Sequence, residues 1–255
     1  MTAKRVLITG GAAGIGHAAA ESYLASGARV AIIDADPEAC AAAKAKWPSA
    51  LVHTADVTDQ AAMSAAFSAV DASWGGVDTL LASAGIGGPS GTLETLDYQA
   101  FKECVAVTIH GSFLACRWAA PHMRAQGSGL IVLMSSSAGL HGYPGRSPYA
   151  AAKWGVTGLT KTLAMELGPA GIRVNAIAPG AVHGDRMERV LMKEAAASGR
   201  SVDALREVYT KGTSLRTWVD AADIVALMRF LDSPAGARIS GQILPVDGHT
   251  ETLAP

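Results

Sequence analysis

Tyr149 and Lys153 lie four residues apart in Pro148-Tyr149-Ala150-Ala151-Ala152-Lys153-Trp154. On a helix that spacing places both side chains on one face, so the ammonium can stand beside the phenol. A free phenol titrates near pH ~10 and is a poor base at neutral pH unless a neighbouring cation favours its anion. Lys153 is placed to be that cation. Upstream, Ser135-Ser136-Ser137 follows the apolar run Leu130-Ile131-Val132-Leu133-Met134. Such a run reads as a buried strand, and open α/β sheets bind ligands at the C-terminal ends of their strands. A serine hydroxyl and a phenol converging on one oxygen could polarise a carbonyl or take the proton of an alcohol. The chemistry indicated is carbonyl/alcohol interconversion. Tyr98 and Lys102 repeat the spacing, but no strand ending in hydroxyls precedes them.

The elements needed to position these groups follow from the rest of the chain. Lys4-Arg5-Val6-Leu7-Ile8-Thr9 predicts a first strand, Gly10-Gly11-Ala12-Ala13-Gly14-Ile15-Gly16 a glycine loop, and the Ala-rich stretch to about Ser26 a helix. Glycines there permit a tight turn and let backbone amides approach a pyrophosphate at the positive end of a helix. A second strand over 28–33 ends at Asp34, 18 residues beyond Gly16. That is about the separation at which a dinucleotide site places an acid on the adenosine ribose. A carboxylate would repel a 2′-phosphate, and no Arg or Lys lies between Gly10 and Gly16, so the expected cofactor is NAD. The pattern further predicts a helix over 37–46, a strand over 50–55, a helix over 59–73, a strand over 75–81, one or two long helices over 96–126, a helix to about Leu167, a strand over 171–180, a helix over 220–231 and a closing strand over 241–248. Alternation of strand and helix predicts one α/β domain over 1–255, a doubly wound parallel sheet flanked by helices in the manner of a Rossmann fold. The polar, helix-rich stretch Arg186 to Ser214, within a segment 181–215, is suited to closing over substrate. Its Met187, Leu191, Met192 and Tyr209 form an apolar stripe, either pocket wall or ordinary packing.

These motifs resemble the short-chain dehydrogenases/reductases, and the resemblance runs from about Lys4 to Gly248. In that family the catalytic serine lies thirteen residues before the tyrosine, which selects Ser136. The resemblance implies that Tyr149 is the acid/base, that Lys153 lowers its pKa and holds the nicotinamide ribose, and that the cofactor lies along Gly10, Gly14, Ile15, Gly16, Asp34, Asp56, Val57, Ala84, Gly85, Tyr149, Lys153, Pro179, Gly180 and Val182. Three positions depart from the family pattern. Ala82-Ser83-Ala84-Gly85 stands where relatives carry Asn-Asn-Ala-Gly, leaving the Ser83 hydroxyl to stabilise the strand end. Thr108 stands where an asparagine supports a proton relay, so either its hydroxyl serves as the fourth catalytic group or the relay is rearranged. Gly184 stands where a threonine often meets the nicotinamide. His141, Arg146 and His183 are the candidate substrate contacts: His141 either touches substrate or lies on the pocket rim, and Arg146 either binds an anionic substrate group or has a surface role. The function so implied is oxidoreduction between NAD and a secondary alcohol or its ketone. A ketoacyl or keto-sugar reductase of the same family, or an NAD-binding sensor or scaffold without efficient chemistry, are the alternatives.

Composition excludes other classes. With 255 residues, 49% of them hydrophobic, the chain can bury a sizeable core. The net charge of −1, with scattered Lys and Arg, argues against a nucleic-acid partner. The apolar run after Met1 to Arg5 breaks at Thr9-Gly10, too early for a signal peptide, and no run reaches the ~18 residues of a membrane span. A cytoplasmic protein and no membrane partner are expected. Three cysteines without Cys-x-x-Cys spacing suggest neither disulfides nor zinc, and no metal is expected. By resemblance the chain forms a homo-oligomer, a tetramer or dimer.

Overall fold

The apolar runs Arg5–Thr9 (β1), Arg29–Asp34 (β2), Leu51–Thr54 (β3), Thr79–Ala82 (β4), Gly129–Met134 (β5), Ile172–Pro179 (β6) and Ile243–Val246 (β7) pair side by side in the order β3-β2-β1-β4-β5-β6-β7. Every pairing is parallel. The computed structural model describes residues 3–253; the ends of the expected 1–255 domain, Met1, Thr2, Ala254 and Pro255, lie outside them. A parallel sheet needs crossovers, which cover both faces with helices. These are Gly14–Ala25 (α1), Pro37–Lys46 (α2), Gln60–Trp74 (α3), Tyr98–Val105 (α4), Gly111–Gln126 (α5), Ser147–Leu167 (α6), Asp185–Ser198 (α7), Val202–Lys211 (α8) and Ala221–Leu231 (α9).

Side chains alternate across each strand, so successive residues enter different cores. Leu7 and Ile33 join Phe67, Met123 and Val156 on the face covered by α3, α5 and α6. Val6, Ile8 and Ile32 join Tyr23, Ile224 and Leu231 beneath α1 and α9. A fully buried side chain of this kind contributes about 1.5–3 kcal/mol. A small third cluster, Leu191, Leu205 and Trp218, holds α7 and α8 together.

Helix starts are set by short acids: Asp36, Asp59 and Asp97 accept from the first free amides of α2, α3 and α4. α1 differs, since its N-cap is Ala13 and its first turn holds no acid. Between α4 and α5 the helix widens into one π-helical turn, Ala106–His110, so the expected long helices over 96–126 form a nearly continuous rod carrying a local distortion. Such turns are frequent at functional sites. The fourth strand is shorter than expected. Gly75 takes φ +65 as the left-handed cap of α3, which ends that helix and leaves β4 to start at Thr79.

Candidate active site

The strand order reverses between β1 and β4, and the groove at such a switch point is where a doubly wound sheet binds its ligand. Gly10 leaves β1 with φ +65, and a Cβ there would lie 2.8 Å from the Ala84 backbone. The glycine loop and the Ala84-Gly85 pair after β4 are therefore in main-chain contact. Asp34 closes the other side. One carboxylate oxygen accepts from the Ala12 amide (3.0 Å) and the other from the Asp36 amide (3.2 Å). Ile15 packs partly against the α1-side core. Asp56 is exposed and holds the Thr58 amide and hydroxyl, both at 2.8 Å, while buried Val57 packs against Gly111. Gly180 is held by its amide to Val246 O (3.0 Å), and Val182 bridges to Val219. Uncapped α1 amides, a glycine-lined approach and a carboxylate at the end of β2 together suit a dinucleotide.

The expected catalytic groups sit over the C-terminal end of β5. The three consecutive serines have different duties. Ser135 donates to Lys153 O (3.2 Å) and ties the strand to α6. Ser136 accepts from the Ala138 amide (3.2 Å), and its hydroxyl is close enough to the Tyr149 phenol to favour the phenolate. Ser137 is buried and its carbonyl receives the His141 amide (2.9 Å). The geometry thus brings Ser136 to Tyr149. Lys153 Nζ lies 5.6 Å from the Tyr149 ring centroid and donates to Met134 O at 2.8 Å. Burial opposes ionisation of the phenol, but Lys153, Arg186, the Ser136 hydrogen bond and Arg146 together hold its pKa below the ordinary tyrosine value. Burial also lowers the pKa of Lys153, against the pull of Tyr149. The similarly spaced Tyr98 is 72% exposed, with Lys102 5.1 Å over its ring; it has the cation but no pocket.

Thr108 occupies the π-helical turn, and its Oγ1 is buried with no partner among the described residues. A Cβ on Gly85 would sit 3.4 Å from Lys153 Nζ and 3.7 Å from Thr108 Oγ1, so the small residue at 85 keeps one space open to both. The strand end after β4 is not stabilised as expected. Among the described residues the Ser83 hydroxyl makes no hydrogen bond; the Thr9 hydroxyl accepts from the Ala84 amide instead (3.5 Å). Gly184 likewise has a backbone reason, since it enters α7 at φ +131, a conformation a threonine rarely adopts.

The expected substrate contacts are distributed unevenly. His141 is half-buried at the end of the serine loop. His183 is exposed, its Nδ1 2.8 Å from Asp220 and its ring stacked on Trp218. Arg146 is buried with its charge already matched. It donates to Glu194 Oε1 (3.0 Å) and Gly87 O (2.8 Å), and lies 5.3 Å from each of the Tyr143 and Tyr149 ring centroids. Tyr143 and Tyr209 also donate to Glu194, at 2.9 and 2.8 Å, and their hydroxyls touch one another. Burial pushes both phenols far above the usual tyrosine range. Of the stripe at 187–209, Leu191 is buried with Met187 and Tyr209 against its cluster, which is ordinary packing, while Met192 is exposed. Glu194 and Arg186 escaped the sequence reading, because nothing local marks a helix acid or arginine as pointing at a site. The described residues contain no group of His, Cys, Asp and Glu able to hold a metal ion.

The short chain dehydrogenase family model matches residues 4–195. The chain is 35% identical over 253 residues to levodione reductase of Leifsonia aquatica, covering 97% of this chain and 94% of that one. It is 37% identical to cis-4-hydroxycyclohexanecarboxylate dehydrogenase of Sinomonas cyclohexanicum, covering 96% of each. Among solved structures, NAD+-bound xylitol dehydrogenase superposes with a TM-score of 0.92 at 27% identity, covering 96% of this chain and 98% of that one.

Proposed function

The chain belongs to the short-chain dehydrogenase family, and from that premise we propose that Ser136, Tyr149 and Lys153 carry its chemistry, with NAD as the preferred cofactor. The protein is an oxidoreductase interconverting an alcohol and its ketone with a nicotinamide cofactor. The observation that carries the residue assignment is the buried Lys153 ammonium 5.6 Å from the centre of the Tyr149 ring, on the helix packed against the serine end of β5; the same cation favours the phenolate. When bound, the nicotinamide accepts or returns the hydride. The chain's own residues manage the proton. Ser136 orients the substrate oxygen and stabilises charge developing on it; Tyr149 takes the hydroxyl proton in oxidation and gives one in reduction; Lys153 stabilises the phenolate. Gly10 to Gly16, Asp56, Val57, Ala84, Gly85, Pro179, Gly180 and Val182 frame the cofactor groove. Segment 181–215, folded as α7 and α8, covers the substrate side.

NAD preference is inferred from Asp34, whose carboxylate lies between the glycine loop and the turn after β2 with no basic residue in that loop. Asp34→Ser is expected to raise kcat/KM for NADP and lower it for NAD, each by about tenfold, the size of one charged hydrogen bond or repulsion. Nicotinamide absorbance with both cofactors and a panel of secondary alcohols, polyols and hydroxy acids tests this together with the reaction. A wild type that prefers NADP would overturn the reading of Asp34. The relatives' names span a polyol and a carboxylate, so they leave the substrate class to the pocket.

Thr108 is proposed to pass protons between Lys153 and solvent through its otherwise unpartnered hydroxyl. Thr108→Val should lower kcat about tenfold with KM nearly unchanged, and Thr108→Asn should retain most of the rate. Steady-state kinetics of both variants check this; equal losses in the two would remove Thr108 from the relay.

We further propose a cytoplasmic homo-oligomer. Phe113 on α5 and Trp154 and Met165 on α6 are 49%, 50% and 80% exposed, an apolar display suited to a second copy. Among the described residues no helix is long and apolar enough to cross a membrane.

A further inference from the structure

Arg186, Val190 and Glu194 follow one another at four-residue spacing on α7, which sets them along one side of the helix. Two of the three have visible neighbours. Glu194 meets the buried Arg146. Val190 stands beside Gly87, where an added Cβ would lie 3.8 Å from Val190 Cγ2 and 3.2 Å from the Arg146 guanidinium. The adjacent stripe of Met187, Leu191 and Ala195 is turned onto α8 and Trp218. The row at 186, 190 and 194 therefore follows the wall formed by Gly87, Arg146 and Tyr149, with Arg186 at its exposed end. Among the described residues Arg186 makes no hydrogen bond or ion pair. Its charge still reaches the reacting groups: it favours the Tyr149 phenolate and opposes the Lys153 ammonium.

The charges of this wall do not cancel. Arg146 is matched by Glu194, and Lys153 is buried, donating to Met134 O beside the Tyr149 phenol. One exposed positive charge remains, at Arg186. We propose that Arg186 receives an anionic group of the substrate, so that the enzyme acts on hydroxycarboxylates and the corresponding oxo acids, with the carboxylate on the α7 side of the reacting carbon. A guanidinium matches a carboxylate in shape as well as charge, and one uncompensated cation suits a monoanion better than a phosphate of about two charges. Arg146, for which the sequence offered this task beside a surface role, is excluded by its own buried partner. The proposal rests on the Tyr149-centred alcohol/ketone reading for its chemistry, but not for its binding site.

The test separates the two. Wild type and Arg186→Met are titrated calorimetrically, at saturating NADH, with 3-oxobutanoate, 4-oxopentanoate and 5-oxohexanoate, each beside its methyl ester; the same compounds are then followed for NADH oxidation. For at least one chain length the wild type should bind the acid at least tenfold more tightly than the ester, a preference reduced by added salt. In Arg186→Met that ratio should fall to about one, with Arg186→Lys in between. Loss of a charged hydrogen-bonded contact of this kind is worth about 10–100-fold. Equal binding of acid and ester by the wild type at every chain length would overturn the proposal. So would an unchanged ratio in Arg186→Met, or a weakening of NADH itself, which would assign Arg186 to the cofactor. Acid-selective binding lost in Arg186→Met but without any turnover would uphold the site and sink the catalytic reading instead.

Discussion

Tyr149→Phe is expected to lower kcat/KM for alcohol oxidation by about 10³-fold, within the range general acid/base groups supply and equivalent to about 4 kcal/mol of barrier, while NADH binding changes less than threefold. The substitution deletes one oxygen from a residue on the well-packed α6 and keeps the ring that lies beside Arg146 and Lys153. Stability should therefore move little, and lost activity will report lost chemistry. Direction of the pH dependence follows from the cations around the phenol. Oxidation needs the phenolate, so its rate rises with pH and levels off at a pKa below the ordinary tyrosine value, because Lys153, Arg186 and Arg146 together outweigh burial. Reduction needs the phenol, so it falls through the same pKa as pH rises. Lys153→Met removes the foremost of these cations and should shift both profiles upward. Stopped-flow absorbance across pH on the three proteins measures all of this. Substantial oxidation by Tyr149→Phe, or a profile unmoved by Lys153→Met, would require a different base.

Much of this arrangement is local, and to that extent it is legible in the chain. Tyr149 and Lys153 share one helical turn, so their pairing needs no knowledge of the fold. Asp34 is placed by the length of a single crossover from Gly16, and α2 falls at Pro37–Lys46 because Asp36 caps it and Pro37 opens it. What stayed hidden depends on contacts between distant segments. Glu194 meets Arg146 across 48 residues, and only the docking of α7 on the loop before α6 makes that pair. The same docking decides that Arg186 has a free charge and Arg146 does not, reversing the order a reader of the chain would choose. Thr9 supports the turn after β4 because β1 and β4 are neighbours, whereas inspection of Ala82-Ser83-Ala84-Gly85 alone points to Ser83. The π-helical turn around Thr108 has no residue signature, since Ala106-Val107-Thr108-Ile109-His110 would serve equally in an ordinary helix. Gly75 was misplaced for the opposite reason: adjacent to an apolar run, it joined the strand by proximity, although its left-handed φ ends the helix before it.

The largest loss of stability should come from Glu194→Ala. Arg146 is 3% exposed and Glu194 9%, and the carboxylate also receives the Tyr143 and Tyr209 hydroxyls. Removing it leaves a buried guanidinium without its counter-charge and two half-buried tyrosines without their acceptor. Breaking a buried pair from one side typically costs 3–5 kcal/mol, and for a chain of this size that corresponds to a fall in Tm of about 10 °C. The pair is a different matter from its halves, because a buried ion pair replaced by apolar groups of similar volume is often nearly neutral. Arg146→Met combined with Glu194→Leu should therefore recover at least half of the lost stability, the non-additivity expected of residues in direct contact. Calorimetric melting of wild type, both single variants and the double variant at one protein concentration measures the coupling. Effects under 1 kcal/mol that simply add would mean the cluster does not hold α7 against the loop carrying Tyr143 and Arg146. If it does hold that contact, Glu194→Ala should also raise KM more than it lowers kcat at temperatures well below melting. The groups proposed to handle the proton sit after β5 and on α6, whereas Glu194 secures the helix that carries Arg186.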